Sequence, residues 1–236
     1  MFTKTARFYD AVYAAIGKDY ESEARELNRL IERMVPNAWF LLDAGCGTGG
    51  HLPYFSRRFE THGIDADSEM VAIVRRRYPT LEVQHSDMVT FSSDRYYDAI
   101  TVLCSAIAYT RTIDRFYAAI ENLAHHLAPG GILIVEPFVE PQYYHSGCFP
   151  TVFVDLPDLK IARMCEAKRV DDLAVIDFHY LVSTTAGVEY HTERHRLGLF
   201  SLDVYRDAFL SAGLSFRVIA NETPTPTFTR GLYVGR

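Results

Sequence analysis

No stretch of this 236-residue chain approaches the roughly 20 consecutive apolar residues that a membrane helix requires, so a soluble protein with no membrane partner is expected. Cysteine is scarce, and Cys46, Cys104, Cys148 and Cys165 nowhere form a Cys-x-x-Cys spacing. With no signal-peptide pattern ahead of them, reduced thiols in a cytoplasmic protein are expected and a structural disulfide is not. Positive charge is also short. The 24 Lys and Arg against 30 Asp and Glu give a net charge of −6, which argues against a nucleic-acid partner but leaves room for a local basic pocket around one phosphate group. The only dense basic run, Arg75-Arg76-Arg77, ends a predicted helix from Ser68 to Arg77, where cations offset the helix dipole and face solvent. No long linker interrupts the chain, and its 48% apolar content supports one domain with at most one appended subdomain.

What the chain does have is a hydrophobic run, Leu41-Leu42, that passes through Asp43-Ala44 into three alternating glycines, Gly45, Gly47 and Gly49. This predicts a strand, a tight loop and a helix. Glycines here remove the Cβ atoms that would hold a ligand off the backbone, and a helix start presents free N–H groups to it. Gly49 is followed by Gly50 and His51, so no lysine can reach a phosphate, which argues against a nucleoside triphosphate. The spacing is Gly-x-Gly-x-Gly rather than the Gly-x-Gly-x-x-Gly of a dinucleotide fold.

Strands are predicted at Phe59 to Ile64, Leu81 to His85 and Asp98 to Leu103, the last nearly continuous in apolar residues, as a strand buried on both faces should be. A helix is predicted from Thr112 to Ala128, ended by Pro129-Gly130-Gly131 ahead of a strand at Ile132 to Val135. In the N-terminal segment Ala24, Leu27, Leu30, Ile31 and Met34 share one helical face; Tyr9 and Tyr13 share another, as part of a lid or as core. Phe138 to Phe200 reads as antiparallel strands at 151–154, 161–166, 175–183 and 188–200. In the last of these, His191, Glu193 and His195 point to one face, a polar lining with no metal expected. Ser201 caps a helix bearing Tyr205, Phe209 and Leu210, Gly213 closes it, and strands at 214–220 and 231–234 finish the chain.

The pattern Asp43-x-Gly45-x-Gly47-x-Gly49, with Asp65 22 positions after Asp43, then Ser86-Asp87-Met88 and Pro129-Gly130-Gly131-x-Leu133, resembles the class I S-adenosylmethionine-dependent methyltransferases. The resemblance implies an α/β, Rossmann-like seven-stranded sheet of order 3-2-1-4-5-7-6 with strand 7 antiparallel, and an inserted antiparallel β platform for substrate. Residues 1–137 would form a lid helix and the cofactor half, 138–200 the platform, and 201–236 the elements that complete the sheet. S-adenosylmethionine would bind and leave as S-adenosylhomocysteine. Asp43, Ala44, Gly45 and Gly47 would form its cradle, and Asp65 with Ala66 the ribose clamp. Asp87 with Met88 would hold the adenine, and Leu103 with Ser105 would lie beside the sulfonium. Tyr9 would sit on the lid, and Lys18 would meet the methionyl carboxylate.

Other segments resemble the N-methyltransferases of nucleotide-linked deoxyamino sugars, the mycaminose and desosamine type of antibiotic biosynthesis. They are Tyr9-Asp10 with Gly17-Lys18-Asp19-Tyr20, Ser105 to Tyr109, Val135-Glu136-Pro137, His195 to Phe200, and Arg230 to Gly235. The implied acceptor is a small molecule, a deoxyamino sugar on thymidine diphosphate, with a homodimer as a candidate assembly. Tyr109, His195 and Tyr13 would orient the amine or carry its proton. Tyr13 and Phe138 would line the acceptor pocket, and Arg169 and Arg230 would take the diphosphate. The chain departs from that family where Phe138-Val139 replaces paired tryptophans, where Ser105-Ala106-Ile107-Ala108 replaces a serine pair and glycine, and where Phe2 replaces a tyrosine. Two alternatives remain open: an O- or C-methyltransferase acting on a polyketide or aromatic, and a catalytically silent cofactor-binding partner protein, which the intact Asp43, Gly45, Gly47, Asp65 and Asp87 disfavour.

Overall fold

A computed structural model describes residues 5–219 and 231–236. After a 3-10 turn at Ala6–Phe8 come helices α1 (Tyr9–Ala15) and α2 (Tyr20–Met34). Strand β1 (Phe40–Ala44) then leads through the glycine loop to a short helix α3 (Leu52–Phe55) and to β2 (Glu60–Asp65). Helix α4 (Ser68–Arg77), β3 (Glu82–His85) and β4 (Tyr97–Val102) follow, then a second 3-10 turn at Ala106–Thr110, α5 (Ile113–His125) and β5 (Leu127–Val135). Strands β6 (Gly147–Cys148), β7 (Val152–Leu156), β8 (Leu159–Val170), β9 (Leu173–Thr184) and β10 (Gly187–Gly198) precede α6 (Leu202–Ser211), β11 (Arg217–Ile219) and β12 (Leu232–Gly235).

One seven-stranded sheet has the order β11-β12-β5-β4-β1-β2-β3, with β12 antiparallel to both its neighbours and the other six strands running in one direction. This is the expected order, with β11 and β12 as the sixth and seventh strands of the pattern. The central strands β1 and β4 and the second half of β5 are buried on both sides, which accounts for their mostly apolar runs. On one face α5 and α6 cover Ile100, Val102, Leu133 and Val135; on the other α2 covers Leu41, Ile132 and Ile134. Helix starts are capped as their residue types dictate: Asp19 accepts from the Ser22 N–H, Asp67 from Glu69, Thr112 from Arg115 and Ser201 from Val204.

A second, antiparallel sheet has the order β10-β9-β8-β6, with β7 pairing to β8. Its inner face packs on two parts of the first unit. Val152, Val154, Ile161, Tyr180 and Val182 meet Phe8 and Val12 of the N-terminal turn and α1, and Ala167, Ile176 and Leu197 meet Ala108 of the second 3-10 turn. The antiparallel strands are longer than the local pattern suggests, because turns at Asp171-Asp172 and Thr184–Gly187 let full-length strands pair across the sheet.

Three expectations need correction. The helix predicted to Ala128 stops at His125, because the Tyr97 N–H takes the His126 carbonyl at 2.8 Å and draws the chain into β5. Ala128-Pro129-Gly130-Gly131 then forms an irregularity between the Tyr97–Leu127 and Ala99–Ile132 pairs, a position where proline's missing N–H is tolerated. The basic run is no simple solvated helix end: Arg75 donates to the Val83 carbonyl at 2.9 Å, and Arg77 pairs with Asp10 at 2.5 Å, tying α4 to β3 and to α1. The strand expected over 214–220 is shortened to β11, and Ala220 lies outside the described residues.

The core between α5, α6 and the sheet is aromatic. Phe116 is fully buried with its ring 4.4 Å from Phe200 and 4.9 Å from Tyr205. Phe116→Ala is expected to lower unfolding free energy by about 3–5 kcal/mol, the usual cost of an emptied aromatic site, measured by chemical denaturation. A loss under about 1 kcal/mol would mean that the neighbouring rings close the void.

Candidate functional site

The site lies at the carboxyl ends of β1, β2 and β4, where an open parallel sheet places its ligand crevice. Gly45 leaves β1 at φ +81, and its N–H and that of Cys46 both donate to the Ile64 carbonyl of β2, at 2.8 and 3.0 Å. A Cβ on Gly45 would stand 2.6 Å from the Ala106 methyl, so no other residue fits there without moving the 3-10 turn. Gly50 is pressed equally close to the Tyr20 ring, which fixes α2 against the loop.

Asp65 ends β2 with one carboxylate oxygen accepting from the Gly47 N–H and the other from the Asp67 N–H, both at 2.8 Å. A carboxylate has about four acceptor positions, so two backbone bonds leave capacity for a pair of hydroxyls. Burial nevertheless pushes its pKa up, and burial does the same to Asp43 and Glu136. Three desolvated carboxylates around one loop favour a cationic ligand there. Asp43 is itself sealed behind the loop, accepting from the Thr101 hydroxyl at 2.9 Å.

Inside the loop lies a cavity of about 110 Å³ whose walls include Gly45, Gly47, Asp65, Ala66, Met88 and Leu103. Tyr9 and Tyr13 cover it as a stacked pair, centroids 4.2 Å apart. Burial raises both phenols, Tyr13 to about 12, so each remains a neutral donor. Cys104 and Ser105 both take left-handed backbone, φ 52 and 58. Their strain is held by the Cys104 N–H donating to Glu136 at 2.6 Å and by the Ser105 hydroxyl donating to the Pro137 carbonyl at 3.1 Å. Burial lifts the Cys104 thiol to about 12, leaving it protonated and unreactive.

Tyr109 joins this cavity to an outer one lined also by Ser86, Asp87 and Arg115. Its hydroxyl lies 2.6 Å from Nδ1 of His195, which β10 delivers from the second sheet. His195 is 1% exposed, with Phe178 edge-on to its ring at 5.0 Å, and burial lowers its pKa, so the imidazole is neutral near pH 7. Glu193 sits 3.7 Å from Nε2 and accepts the backbone N–H and hydroxyl of Thr5 at 3.1 and 2.5 Å. His191, Glu193 and His195 thus share a face as expected, and no metal-binding cluster occurs among the described residues.

Lys18 pairs with Glu23 at 2.7 Å, where the same carboxylate meets His51 at 2.6 Å, and its ammonium also reaches the Cys104 thiol of the cavity wall. Two sequence candidates sit elsewhere. Phe138 packs near Tyr144 and does not line either cavity. Arg169 donates to the Asp171 and Pro141 carbonyls at 3.0 and 2.9 Å, which ties down the loop after Pro141, and it lines neither cavity. Arg230 lies outside the described residues. Sequence reasoning passed over Glu193 as a partner and Arg115 as the 2.5 Å ion-pair partner of Asp87; only the fold juxtaposes residues 28 and 188 positions apart.

A methyltransferase-domain family model matches residues 41–131, the stretch from β1 into β5. A dTDP-3-amino-3,6-dideoxy-alpha-D-glucopyranose N,N-dimethyltransferase of Streptomyces fradiae is 36% identical over 232 residues, 98% of this chain and 89% of that one. The chain belongs to the class I S-adenosylmethionine-dependent methyltransferases. Streptomyces venezuelae DesVI superposes with a TM-score of 0.91 at 32% identity, covering 98% of this chain and 97% of that one. CalS10, an amino pentose methyltransferase from Micromonospora echinaspora, superposes at 0.86 with 31% identity, covering 96% and 95%. S-adenosylmethionine is therefore the methyl donor of this methyltransferase, and the glycine cradle with its desolvated carboxylates fits that cation.

Asp65→Ala is expected to weaken S-adenosylhomocysteine binding by about 10-fold or more, the scale of lost charge-assisted hydrogen bonds, read by calorimetry. Asp65→Asn, which keeps an acceptor for the Gly47 N–H, should recover loop order but only part of the affinity. Unchanged affinity in both variants would remove Asp65 from the ribose contact.

Proposed function

We propose that this methyltransferase transfers methyl groups to the amine of a deoxyamino sugar carried on thymidine diphosphate. The observation that carries the reading is the Tyr109–His195 pair at 2.6 Å, a neutral acceptor and donor at the cavity mouth, on a chain 36% identical to an enzyme named for that acceptor. Bound S-adenosylmethionine supplies an activated methyl, which leaves three tasks to the chain: aim the acceptor lone pair, exclude water and receive a proton. The stacked Tyr9 and Tyr13 close the cavity, and their hydroxyl oxygens can accept from the amine N–H groups, which leaves its lone pair free to attack. The Tyr109 hydroxyl accepts from the amine N–H while donating to Nδ1 of His195, so a proton released after transfer passes along that bond. Glu193 steadies the imidazolium that results. In this reading Asp65, Gly45 and Gly47 hold the adenosyl moiety, Ala66, Asp87 and Met88 flank its purine, and Leu103 with Ser105 walls the methionyl arm.

The reading extends to a cytoplasmic homodimer. Four free cysteines suit a reducing compartment, and no helix among the described residues is long and apolar enough to cross a membrane. Pairing aligns Phe153, Ala162, Leu181 and Tyr190 in one row on the outer face of the second sheet, with Phe153, Leu181 and Tyr190 exposed at 69%, 51% and 62%. An apolar row of this kind on a sheet is suited to a second copy. Analytical ultracentrifugation is expected to give a dimer for the wild type and a monomer for Leu181→Asp; a wild-type monomer at micromolar concentration ends this part of the reading.

An amine needs no strong base, so His195→Ala should lower kcat on a thymidine-diphosphate amino sugar by about 10-fold or less. A hydroxyl acceptor would lose about 10²-fold or more with the same variant. Burial holds the His195 pKa below its usual value, so the unfolded chain binds the proton more readily. Wild-type stability should therefore fall as pH drops below about 6.5, and His195→Ala should flatten that fall. Acceptor screening with mass detection decides the class: methylation of the hydroxyl analogue in preference to the amine would transfer the assignment to an O-methyltransferase.

A further inference from the structure

The outer groove holds Arg111, Arg115, Arg194 and Arg196, but its walls Ala66, Asp87 and Met88 are those that flank the purine, so these guanidiniums border the cofactor. Another cation faces the acceptor side. Arg163 stands mid-way along β8, on the inner face of the second sheet. Strand register puts Arg163 in one row with Tyr180, Phe178 with Glu193 in the next, and Ile176 with His195 in the third. The first row adjoins the apolar cluster that seats Phe8 and Val12, and the third packs toward Ala108. Between those clusters the sheet therefore carries a polar band, which meets Tyr109 through His195.

Within this band the Arg163 guanidinium lies over the Phe178 ring, 5.2 Å from its centroid, and Phe178 is in turn edge-on to His195 at 5.0 Å. No carboxylate forms an ion pair with it among the described residues. Its buried Nε has no hydrogen-bond partner either. Burial raises the Tyr13 and Tyr180 phenols and lowers His195; the charge of Arg163 opposes the first two shifts and adds to the third, as a cation close to all three must. A guanidinium does not shed its proton, so a buried N–H without an acceptor costs free energy that a bound ligand can recover.

What Arg163 lacks is an acceptor more than an anion. Glu193, on the next row, already brings negative charge to the same Tyr180 hydroxyl, and Phe178 covers one flat face of the guanidinium, leaving its N–H edge. In the reading above, the amine lies between Tyr13 and the Tyr109–His195 pair. An oxygen for Arg163 must then lie near that nitrogen, and a hydroxyl on the adjoining ring carbon is within hydrogen-bond distance of it. The phosphates hang from the anomeric carbon and run outward with the nucleotide, so a buried donor meets the ring on the side remote from them.

We propose that Arg163 is a specificity-determining residue that donates a hydrogen bond to the acceptor hydroxyl beside the amine, on the side remote from the anomeric carbon. The inference rests on the amino-sugar reading and adds to it the substituent pattern that the enzyme selects. With that hydroxyl held by the sheet, rotation of the ring is fixed and the neighbouring nitrogen is aimed past Tyr13 into the cofactor cavity.

The test compares a thymidine-diphosphate 3-amino sugar that carries the 4-hydroxyl with its 4-deoxy analogue, using the full chain, Arg163→Met and Arg163→Lys. Wild type should favour the hydroxylated acceptor by about 10-fold or more in kcat/KM, the scale of one charge-assisted hydrogen bond. Arg163→Met should abolish that preference by losing activity on the hydroxylated acceptor alone, and Arg163→Lys should keep part of it. A ratio taken within one preparation does not depend on the fraction of folded protein, and Arg163→Lys, which retains the charge, supplies the readout if Arg163→Met does not fold. The same pair without the nucleotide should give the same ratio. An unchanged preference in Arg163→Met, or equal losses on both acceptors, overturns the proposal. So does a loss confined to nucleotide-linked acceptors, which would make the partner a phosphate. Methylation of oxygen in place of nitrogen would overturn the amino-sugar reading instead, and calorimetric binding of the two ligands to the S-adenosylhomocysteine complex would still decide the role of Arg163.

Discussion

A Cβ on Gly45 would lie 2.6 Å from the Ala106 methyl, and the rest of the site depends on this contact between two loops. Gly45 belongs to the turn after β1 and Ala106 to the 3-10 turn after β4, so their approach brings the ends of two adjacent parallel strands together. The 3-10 turn then carries Ala108 into the inner face of the second sheet and Tyr109 to His195. A larger residue at position 45 would push back the turn and with it the sheet that supplies half of the chemistry. The strain at Cys104 and Ser105 follows from the same crowding, because the chain must reverse within a few residues beside the loop.

Electrostatics divides the site into two regimes. Around the glycine loop buried carboxylates dominate: Asp43, Asp65 and Glu136 are all raised by desolvation, while the neighbouring phenols and the Cys104 thiol remain neutral. Such an environment suits a sulfonium and leaves no competing nucleophile beside it. At the outer groove guanidiniums dominate instead. Tyr109 and Met88 stand between these regimes. The buried Glu23 takes both Lys18 and His51 on one carboxylate and so pins α2 to the loop.

Much of the cofactor half was legible because its signals are local. Asp43 to Gly49 had to be a strand running into a glycine loop, and Asp65 had to end the next strand, since each rests on residue types close in the chain. The seven-strand order also followed, although through resemblance rather than from periodicity. Errors arose where the partner of a segment is distant. Helical periodicity carried the α5 prediction through Ala128, while the backbone of Tyr97 claimed that stretch for the sheet. Arg169 looked available for phosphate because sequence cannot show that the carbonyls of Pro141 and Asp171 occupy its guanidinium.

The sequence by itself determined the glycine cradle, the carboxylates at strand ends, the alternation that turns Glu193 and His195 inward, and the absence of a lysine for a triphosphate. Those properties depend on φ freedom, side-chain period and spacing, all encoded within a few residues. Only the tertiary structure decided which polar groups meet: Tyr109 with His195, Thr5 with Glu193, Arg115 with Asp87, and four arginines around one groove. Such pairings depend on how the second sheet docks against α1 and the 3-10 turn. That docking is driven by burial of apolar side chains such as Val12, Val154, Ala108 and Leu197, whose attraction is non-directional and leaves no mark in the sequence of which partner each will find.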